Sequence, residues 1–347
     1  MTWKISLACL LLAAVLATAG QPLAEAAAKA AGELPAGCIV TGERADGADS
    51  FSIHGKAEPE GVAPERRIFE IGSISKVFTG ILLAEAVLEK QVAFDTTLED
   101  LLGREIKFKD PEVGKITLLQ LATHTSGLPR LPSNLGPDPD GMDDPYASYD
   151  RKLLHDYLAT AKLDGESPYP AAYSNLGMGL LGDLLAGLNK TTWAALVEEK
   201  ITGPLGMKDT VVVPDEEQSK RLAPPYRGDS ANHSWTFQAL AGAGALRSTA
   251  ADLLVFGRAL MEPGDSPPAP AIRSALDTRA PFNDSGAEIG LGIVIGTVDG
   301  EKAYEHGGGT GGYRSMLQIV PARKTVKVVL INNDVIPAET VVAATRE

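Results

Sequence analysis

Three short motifs contain residue types that could perform acyl transfer. In chain order they are Ser73-Ile74-Ser75-Lys76, Tyr173-Ser174-Asn175 and His306-Gly307-Gly308. From position 77 to position 88 the chain is almost entirely apolar, which predicts a buried helix. Because residues three apart on a helix lie one above the other, the Lys76 amine is expected to reach the Ser73 hydroxyl. This is the arrangement of base and nucleophile that acyl transfer requires.

A lysine can take a proton from serine only when its amine is neutral. Burial of Lys76 would disfavour the ammonium form, and a nearby cation would lower its pKa further. The N-terminus of the same predicted helix adds backbone N–H groups and the positive end of a dipole, which suit an oxyanion. The Ser-x-x-Lys pattern alone also occurs by chance at many helix starts, so its interpretation depends on the neighbouring residues.

Those neighbours carry a resemblance to a known family. The segment Phe69-Glu70-Ile71-Gly72-Ser73-Ile74-Ser75-Lys76 resembles, at every position, the active-site octapeptide of class C serine β-lactamases. The chain is thus similar to the β-lactamase and penicillin-binding DD-peptidase superfamily, in the class C-like branch that also contains esterases and D-amino-acid amidases. Tyr173 lies 100 residues after Ser73, where this family places its Tyr-x-Asn motif. The resemblance covers most of residues 36–334, including the segment 118–129 ahead of the active-site rim.

The resemblance implies roles for the first two motifs. Ser73 would be acylated, and Lys76 and Tyr173 would complete the catalytic set. Tyr173 is expected to act as general base or proton relay, because nearby ammonium groups would lower the pKa of its phenol. Asn175 is expected to hydrogen-bond the substrate and Lys76. Alternatively, Tyr173-Ser174-Asn175 is a polar turn that caps the apolar run 176–188, and both interpretations can hold together.

The third motif departs from the β-lactamase pattern. Class C enzymes carry Lys-Thr-Gly where this chain has His306-Gly307-Gly308, and a histidine of ordinary pKa is mostly neutral at pH 7. The departure weighs against efficient β-lactam hydrolysis, although a protonated His306 could pair with a substrate carboxylate, which is our hypothesis here. A lone histidine in a glycine-rich run could also be only a turn residue. The glycines permit close approach of a substrate, and the resemblance places an oxyanion hole at the N–H groups of Gly309 and Ser73. The predicted substrate-binding residues are Asn175, His306, Gly307, Gly308 and Gly309.

Other chemistries find little support in the sequence. The strings Gly177-x-Gly179-x-x-Gly182 and Gly307-x-Gly309-x-x-Gly312 match a dinucleotide-binding pattern, but neither connects a strand to a helix followed by the expected acidic residue. Gly-x-Ser-x-Gly, His-Glu-x-x-His and Cys/His clusters are absent from the sequence, which disfavours α/β-hydrolases and metal hydrolases. We therefore predict no cofactor and no metal ion. Ser126, close to His124, is interpreted as a loop serine that caps a backbone group.

The N-terminal residues predict export. Lys4 and the apolar run 5–19 indicate a secretory signal peptide, with small-residue sites ending at Ala19 and Ala26, and we assign residues 1–26 to it. Ser6 stands three positions before Cys9, so no lipobox is recognised and no stable membrane anchor is expected. The predicted location is periplasmic or secreted. Cys38 would then be the one cysteine of the mature chain, which excludes an intramolecular disulfide.

The charge of the chain limits its partners. A net charge of −13 opposes binding to nucleic acid and to anionic membrane surfaces. The expected partner is a small molecule, namely a β-lactam, a D-Ala-D-Ala peptide or an ester, and the protein is expected to be a monomer.

The secondary-structure pattern predicts an α+β fold of two lobes, with terminal strands in one antiparallel sheet and helices between them. We predict strands at 37–43, 50–55, 289–298, 303–306, 313–320 and 325–332, with hairpin turns at Asp46-Gly47 and Asp299-Gly300. Predicted helices lie at 148–163, 176–188, 191–201 and 250–261. One β-lactamase/transpeptidase-like domain would occupy 27–347, with a sheet lobe at 36–85 and 235–347, a helical lobe at 86–234 and the site between them.

We therefore interpret the chain as a serine hydrolase that forms an acyl-enzyme on Ser73. The resemblance makes β-lactam hydrolysis the first candidate activity, with a D-alanyl-D-alanine carboxypeptidase or an esterase as the alternative. An alternative of another class is a penicillin-binding sensor that is acylated without turnover.

Overall fold

The sheet joins the two ends of the chain. The computed structural model describes residues 21–136 and 144–346. Its strands are β1 (Cys38–Ala45), β2 (Ala48–Gly55), β3 (Ile68–Glu70), β4 (Tyr226–Arg227), β5 (Ser230–Ala231), β6 (Arg247–Thr249), β7 (Ala280–Pro281), β8 (Glu288–Ile289), β9 (Val294–Val298), β10 (Glu301–Gly309), β11 (Arg314–Val320) and β12 (Thr325–Ile331). Eight of them form one antiparallel sheet in the order β2-β1-β12-β11-β10-β9-β8-β7. The N-terminal hairpin thus pairs with the last strand, and the predicted α+β class is confirmed.

Both predicted hairpin turns are present. Asp46 and Gly47 have φ angles of 50° and 81°, and Asp299 and Gly300 have φ angles of 48° and 82°. Positive φ at both central residues is typical of the type I′ turns that match the twist of a hairpin. The register across β1 and β2 and across β9 and β10 follows from these turns.

The prediction of one strand over 289–298 is wrong. The chain leaves the sheet between β8 and β9, where the Leu291 N–H donates to the Ala275 carbonyl and the Gly292 N–H donates to the Ala122 carbonyl. Gly292 has a φ of 70°, and a Cβ there would lie 2.4 Å from the Lys76 carbonyl oxygen. The alternating pattern in the sequence does not show that these backbone groups bond to the helices instead of a neighbouring strand.

Helices cover both faces of the sheet. They are α1 (Leu23–Ala31), α2 (Ser75–Leu88), α3 (Leu98–Leu102), α4 (Pro111–Gly114), α5 (Leu118–Ala122), α6 (Arg151–Thr160), α7 (Asn175–Leu188), α8 (Trp193–Val197), α9 (Gly203–Leu205), α10 (Glu216–Ser219), α11 (Ala250–Met261), α12 (Ala269–Ala275) and α13 (Ala338–Ala343). The predicted helix 250–261 is confirmed at both ends by α11, and its cap Thr249 accepts a hydrogen bond from the Asp252 N–H. The predicted helix 191–201 instead changes from α8 into a π-helical turn at Glu198–Thr202.

Helix α2 is the central helix of the molecule. Its side chains are buried almost all round, and the Phe78 ring stacks on the Phe256 ring of α11 at 4.1 Å between centroids. Gly80 allows α2 to touch the chain between β8 and β9, because a Cβ at this position would lie 1.8 Å from the Leu291 carbonyl oxygen. A helix held on all sides gives its first turn a well-defined position.

Helix α1 packs on the outer face of the sheet. Its residue Leu23 is 1% exposed, and with Ala27 it contacts an apolar cluster that includes Ile39 and Val329. Residues 23–26, which we assigned to the leader, therefore belong to a packed helix. Cleavage after Ala26 would cut this helix, whereas cleavage after Ala19 would leave it whole. Residues 1–20 lie outside the described residues, so the signal peptide stays a prediction, as do the lobe boundaries.

Among the described helices, none combines the length and the apolar character that crossing a membrane requires.

The close contact at Gly80 leads to a stability prediction. Helix propensity alone would favour Gly80→Ala by about 1 kcal/mol. The added methyl group would, however, collide with a backbone carbonyl, so we expect Gly80→Ala to lower the free energy of unfolding by about 1–3 kcal/mol in urea denaturation. The control is Gly187→Ala, an exposed position of α7 where the nearest atom is the flexible end of the Arg151 side chain, at 3.3 Å. Equal effects of the two substitutions would contradict the contact.

Candidate active site

The nucleophile turn lies between β3 and α2. Ser73 is the middle residue of a single 3-10 turn, Gly72–Ile74, which leads directly into α2. Gly72 has a φ of 49°, and a Cβ there would lie 2.7 Å from the Gly309 nitrogen. Only glycine satisfies both conditions without strain. The turn therefore presents Ser73 directly against the end of β10.

Lys76 lies beneath Ser73 and is fully buried. Its Nζ is 2.9 Å from Ser73 Oγ and donates to the Ala243 carbonyl oxygen at 2.6 Å. Burial, and secondarily the charge of Arg130, hold the pKa of Lys76 well below its ordinary range. A neutral amine that donates one hydrogen to Ala243 keeps its lone pair for the Ser73 proton. The contact expected from the three-residue spacing is therefore present, and burial shifts Lys76 toward the neutral form that a base requires.

Tyr173 lies above the same pair of residues. Its ring centroid is 4.8 Å from Lys76 Nζ and 5.1 Å from Arg130 Cζ, and its hydroxyl is hydrogen-bonded to Ser73. Burial nevertheless raises the pKa of Tyr173 to about 12, because desolvation of the phenolate outweighs the Ser73 hydrogen bond and the Arg130 charge. The expectation of a lowered pKa is wrong. In the free protein Tyr173 is a neutral phenol that can donate a proton.

Asn175 begins α7 at the wall of the site. Its Nδ2 donates to the Tyr146 hydroxyl at 3.1 Å, whereas the hydrogen bonds of Lys76 to described residues go to Ser73 and Ala243. The expected contact between Asn175 and Lys76 is therefore wrong. The Oδ1 atom of Asn175 is buried and has no partner in the described part of the chain, which leaves an acceptor for a ligand.

The alternative interpretation of the same motif also holds. Ser174 Oγ accepts a hydrogen bond from the Gly177 N–H at 2.9 Å and caps α7. Ser126 caps a backbone group as expected, since its Oγ accepts a hydrogen bond from the Leu128 N–H at 3.3 Å.

His306 is buried on β10. Its Nδ1 lies 2.7 Å from the Gly307 carbonyl oxygen, so Nδ1 carries the hydrogen and Nε2 is the free nitrogen. Burial, followed by the charge of Lys76, lowers the pKa of His306 to about 4. In the ligand-free protein this favours a neutral ring at pH 7, which weighs against the hypothesis of an imidazolium, while its pairing with a substrate carboxylate stays a prediction. The sequence could not show how completely this ring is removed from water.

The glycines of β10 bring the sheet into contact with the nucleophile turn. A Cβ on Gly308 would lie 2.1 Å from the Ile71 carbonyl oxygen, and the Gly309 nitrogen lies beside Gly72. Ser315 Oγ on β11 also donates to the Ile71 carbonyl, at 2.8 Å. The backbone of Gly309 is thus adjacent to the turn that holds Ser73, where an oxyanion-hole donor would have to be. That role itself stays a prediction.

These groups share one cavity of about 780 Å³. Its walls include the predicted residues Ser73, Tyr173, Asn175, His306, Gly307, Gly308 and Gly309. Lys76 lies below its floor, so the structure brings all predicted site residues together. Opposite walls come from Tyr146, Trp235 and Phe282. In residues 21–136 and 144–346, no group of three His, Cys, Asp or Glu side chains is arranged to hold a metal ion.

Two residues near Tyr173 were missed. Buried His124, with a φ of 60°, accepts the Ser174 N–H on Nδ1 at 3.1 Å, and its ring lies 4.6 Å from the Tyr173 ring. Arg130 is exposed at the rim of the cavity. Both residues lie in or just after the segment 118–129 that the resemblance singled out, but nothing in their spacing from Tyr173 predicts the contact.

Comparison with known proteins agrees with this geometry. The chain is 34% identical over 207 residues to the D-alanyl-D-alanine-carboxypeptidase/endopeptidase AmpH of Escherichia coli K12, which covers 59% of this chain and 52% of that protein. It is 30% identical over 162 residues to a β-lactamase of Providencia stuartii, covering 47% and 38% of the two chains. The chain thus matches only about half or less of the length of these relatives.

The fold has solved counterparts. A class C β-lactamase from Rhodobacter sphaeroides superposes with a TM-score of 0.77 over 93% of this chain and 97% of that one, at 24% identity, which is a likeness of fold. The family model described as Beta-lactamase matches residues 14–347. With the β-lactamase/transpeptidase-like fold and this match over nearly its whole length, the chain belongs to the Beta-lactamase family.

Proposed function

We propose that the protein is a serine hydrolase that acts through an acyl-enzyme on Ser73. The observation that carries this proposal is the 2.9 Å contact between Ser73 Oγ and the Nζ of a fully buried Lys76. Burial lowers the pKa of the amine, which favours the neutral form that could act as a base at the position where the serine needs one.

The proposed reaction uses three side chains and two backbone groups. Lys76 accepts the Ser73 proton while Oγ attacks the substrate carbonyl carbon, and the N–H groups of Ser73 and Gly309 bind the oxyanion. Tyr173, which is protonated in the free protein, donates its proton to the leaving group, and the proton held by Lys76 then restores the phenol. Water attacks the acyl-enzyme by the same route, which releases the acid and regenerates Ser73.

For the substrate we place D-Ala-D-Ala peptides first. The AmpH relative is named a D-alanyl-D-alanine-carboxypeptidase/endopeptidase, and its 34% identity supports this choice. Asn175 Oδ1 could accept an N–H of a peptide substrate. The neutral His306, where class C enzymes carry lysine, departs from the class C β-lactamase pattern but does not by itself separate the two substrates, since both carry a carboxylate. Export to the periplasm or the medium and a monomeric state are parts of the same proposal.

β-Lactam hydrolysis, the first candidate from sequence, is the second candidate here. The octapeptide around Ser73 and the Providencia relative support it. Both activities begin with the same acylation and differ in how fast water removes the acyl group. A penicillin-binding sensor would be acylated and would then stop.

We expect Ser73→Ala to abolish covalent labelling. In intact-mass measurements with benzylpenicillin the wild type should gain one equivalent, and Ser73→Ala none. The matched control is Ser126→Ala, which removes a buried serine outside the cavity and should still be labelled. Labelling of Ser73→Ala would exclude Ser73 as the nucleophile. Continued release of D-alanine from a D-Ala-D-Ala peptide after the first equivalent would indicate a carboxypeptidase. Steady hydrolysis of the penicillin would indicate a β-lactamase. Labelling without either turnover would indicate a sensor.

Lys76→Ala should slow acylation by about 10³-fold or more, because residues of one catalytic unit cause losses of that size. Lys76→Arg should not restore the rate, since a guanidinium stays protonated and cannot act as base. In the wild type kcat/KM should rise with pH through the lowered pKa of Lys76 and then level off, because only the neutral amine is active. Stopped-flow acylation rates across pH provide the measurement. Activity of Lys76→Arg near the wild-type level would assign Lys76 an electrostatic role instead.

The buried neutral His306 should make stability depend on pH. The unfolded chain binds this proton near pH 6.5 and the folded chain only near pH 4, so stability is lost as pH falls between these values. From pH 7 to pH 4.5 the free energy of unfolding of the wild type should fall by about 2–3 kcal/mol more than that of His306→Gln. Urea denaturation at both pH values measures the difference. Parallel losses in both proteins would show that folding does not lower the pKa of His306.

A further inference from the structure

We propose that Arg130 binds a carboxylate of the substrate and is a specificity-determining residue of this site, an inference that rests on the acyl-transfer function proposed above. The class C pattern assigns a cation to the position of His306. In this chain that ring is buried and neutral at pH 7 in the ligand-free protein, so a permanent positive charge in this cavity is supplied by other residues.

Three arginines line the cavity, and their surroundings differ. The Nη1 atom of Arg314 donates to the carbonyl oxygens of Thr310 and Tyr313, at 2.9 Å and 2.8 Å, and fastens the connection between β10 and β11. The Nε atom of Arg227 lies 3.8 Å from a carboxylate oxygen of Asp334. Both guanidinium groups are therefore engaged by the protein.

Arg130 differs from both. Its guanidinium forms no ion pair or hydrogen bond with the residues of 21–136 and 144–346, and the side chain is exposed at the rim. Its carbonyl oxygen, by contrast, accepts the N–H groups of Asn175 and Leu176 at 3.0 Å and 3.2 Å. The backbone of Arg130 is thus tied to the first turn of α7, while its charge faces the cavity.

The position of this charge is close to the reacting atoms. Arg130 Cζ lies 5.1 Å from the centroid of the Tyr173 ring, and Tyr173 is hydrogen-bonded to Ser73. Its charge acts on Lys76 and His124 as well, where it adds to the lowering of both pKa values. Because Arg130, Tyr173 and Ser73 line the same cavity, a substrate whose carbonyl carbon is at Ser73 Oγ can extend to Arg130.

The chemistry of the group selects its ligand. A guanidinium is planar, stays protonated over the whole working pH range and binds a carboxylate through two parallel N–H bonds. D-Ala-D-Ala peptides and β-lactams both carry a carboxylate on the leaving-group side of the reacting bond, and a peptide substrate can carry another on its acyl side. Arg130 would bind a carboxylate on either the leaving-group side or the acyl side of the substrate.

The test uses matched thioester substrates that differ in one charge. One pair has a benzoylglycyl acyl group with mercaptoacetate or its methyl ester as leaving group. The second pair has a neutral leaving group and an acyl chain that ends in a carboxylate or in its methyl ester. We expect Arg130→Gln to lower kcat/KM for the carboxylate member of one pair by about 10- to 100-fold, as for a hydrogen bond to a charged group. For the methyl ester of that pair, kcat/KM should change by less than about threefold, because an uncharged ester loses only a weak interaction with the guanidinium.

Three comparisons sharpen the result. Arg130→Lys should keep part of the preference for the carboxylate, because the charge remains but the two parallel bonds do not. Arg227→Gln, in the same cavity but paired with Asp334, should leave the ratio between pair members unchanged. Raising the salt concentration should weaken the preference in the wild type and not in Arg130→Gln, because the charge is exposed.

The outcomes separate this inference from the proposed function. If Arg130→Gln lowers kcat/KM equally for both members of each pair, Arg130 acts on Tyr173 and Lys76 and not on the carboxylate. If kcat/KM is unchanged for both members, Arg130 has no role in selectivity. Either result overturns the inference while acylation of Ser73 persists. Failure of every substrate to acylate wild-type Ser73 would instead overturn the proposed function. The pair that responds identifies the side of the substrate that carries the carboxylate.

Discussion

The site depends on one buried amine. Removing a lysine from water is costly unless it loses its proton, so the enclosure of Lys76 by α2 and the turn at Ala243 favours the neutral amine that the proposed mechanism uses as a base. The Ala243 carbonyl then orients the neutral amine, and Ser73 takes the remaining direction. In the proposed mechanism the packing of the core activates the serine, and any change that admits water to Lys76 would favour its charged form.

Close backbone contacts made possible by glycine join the two halves of the site. Gly72 and Gly308 remove the side chains that would separate the nucleophile turn from β10, and Gly80 does the same between α2 and the chain before β9. In each place a Cβ would lie within 3 Å of backbone atoms. Because backbone atoms cannot rotate away as side chains do, these contacts fix the position of Ser73 relative to the sheet, as the predicted oxyanion hole would require.

The same enclosure distributes charge unevenly in the cavity. At neutral pH burial keeps His306 and Tyr173 uncharged, and it shifts the pKa of Lys76 downward as well. Permanent positive charge is left to arginines at the rim, of which Arg130 is the one closest to Tyr173 by its ring contact. In the proposed mechanism, proton transfer therefore takes place in the buried interior, and the proposed binding of an anion takes place at the solvated rim.

Much of this arrangement follows from the sequence itself. Local rules were sufficient for the contact of Ser73 with Lys76, the hairpin turns at Asp46 and Asp299, and the helix capped by Thr249, because each depends on residues a few positions apart. The family and its three motifs were recognisable from short segments. What only the tertiary structure decided is the environment of these residues: the raised pKa of Tyr173, the neutral ring of His306, the partner of Asn175 and the break before β9. Each of these depends on how completely distant segments exclude water or supply hydrogen bonds, and such burial is a property of the whole packed chain, not of any local pattern.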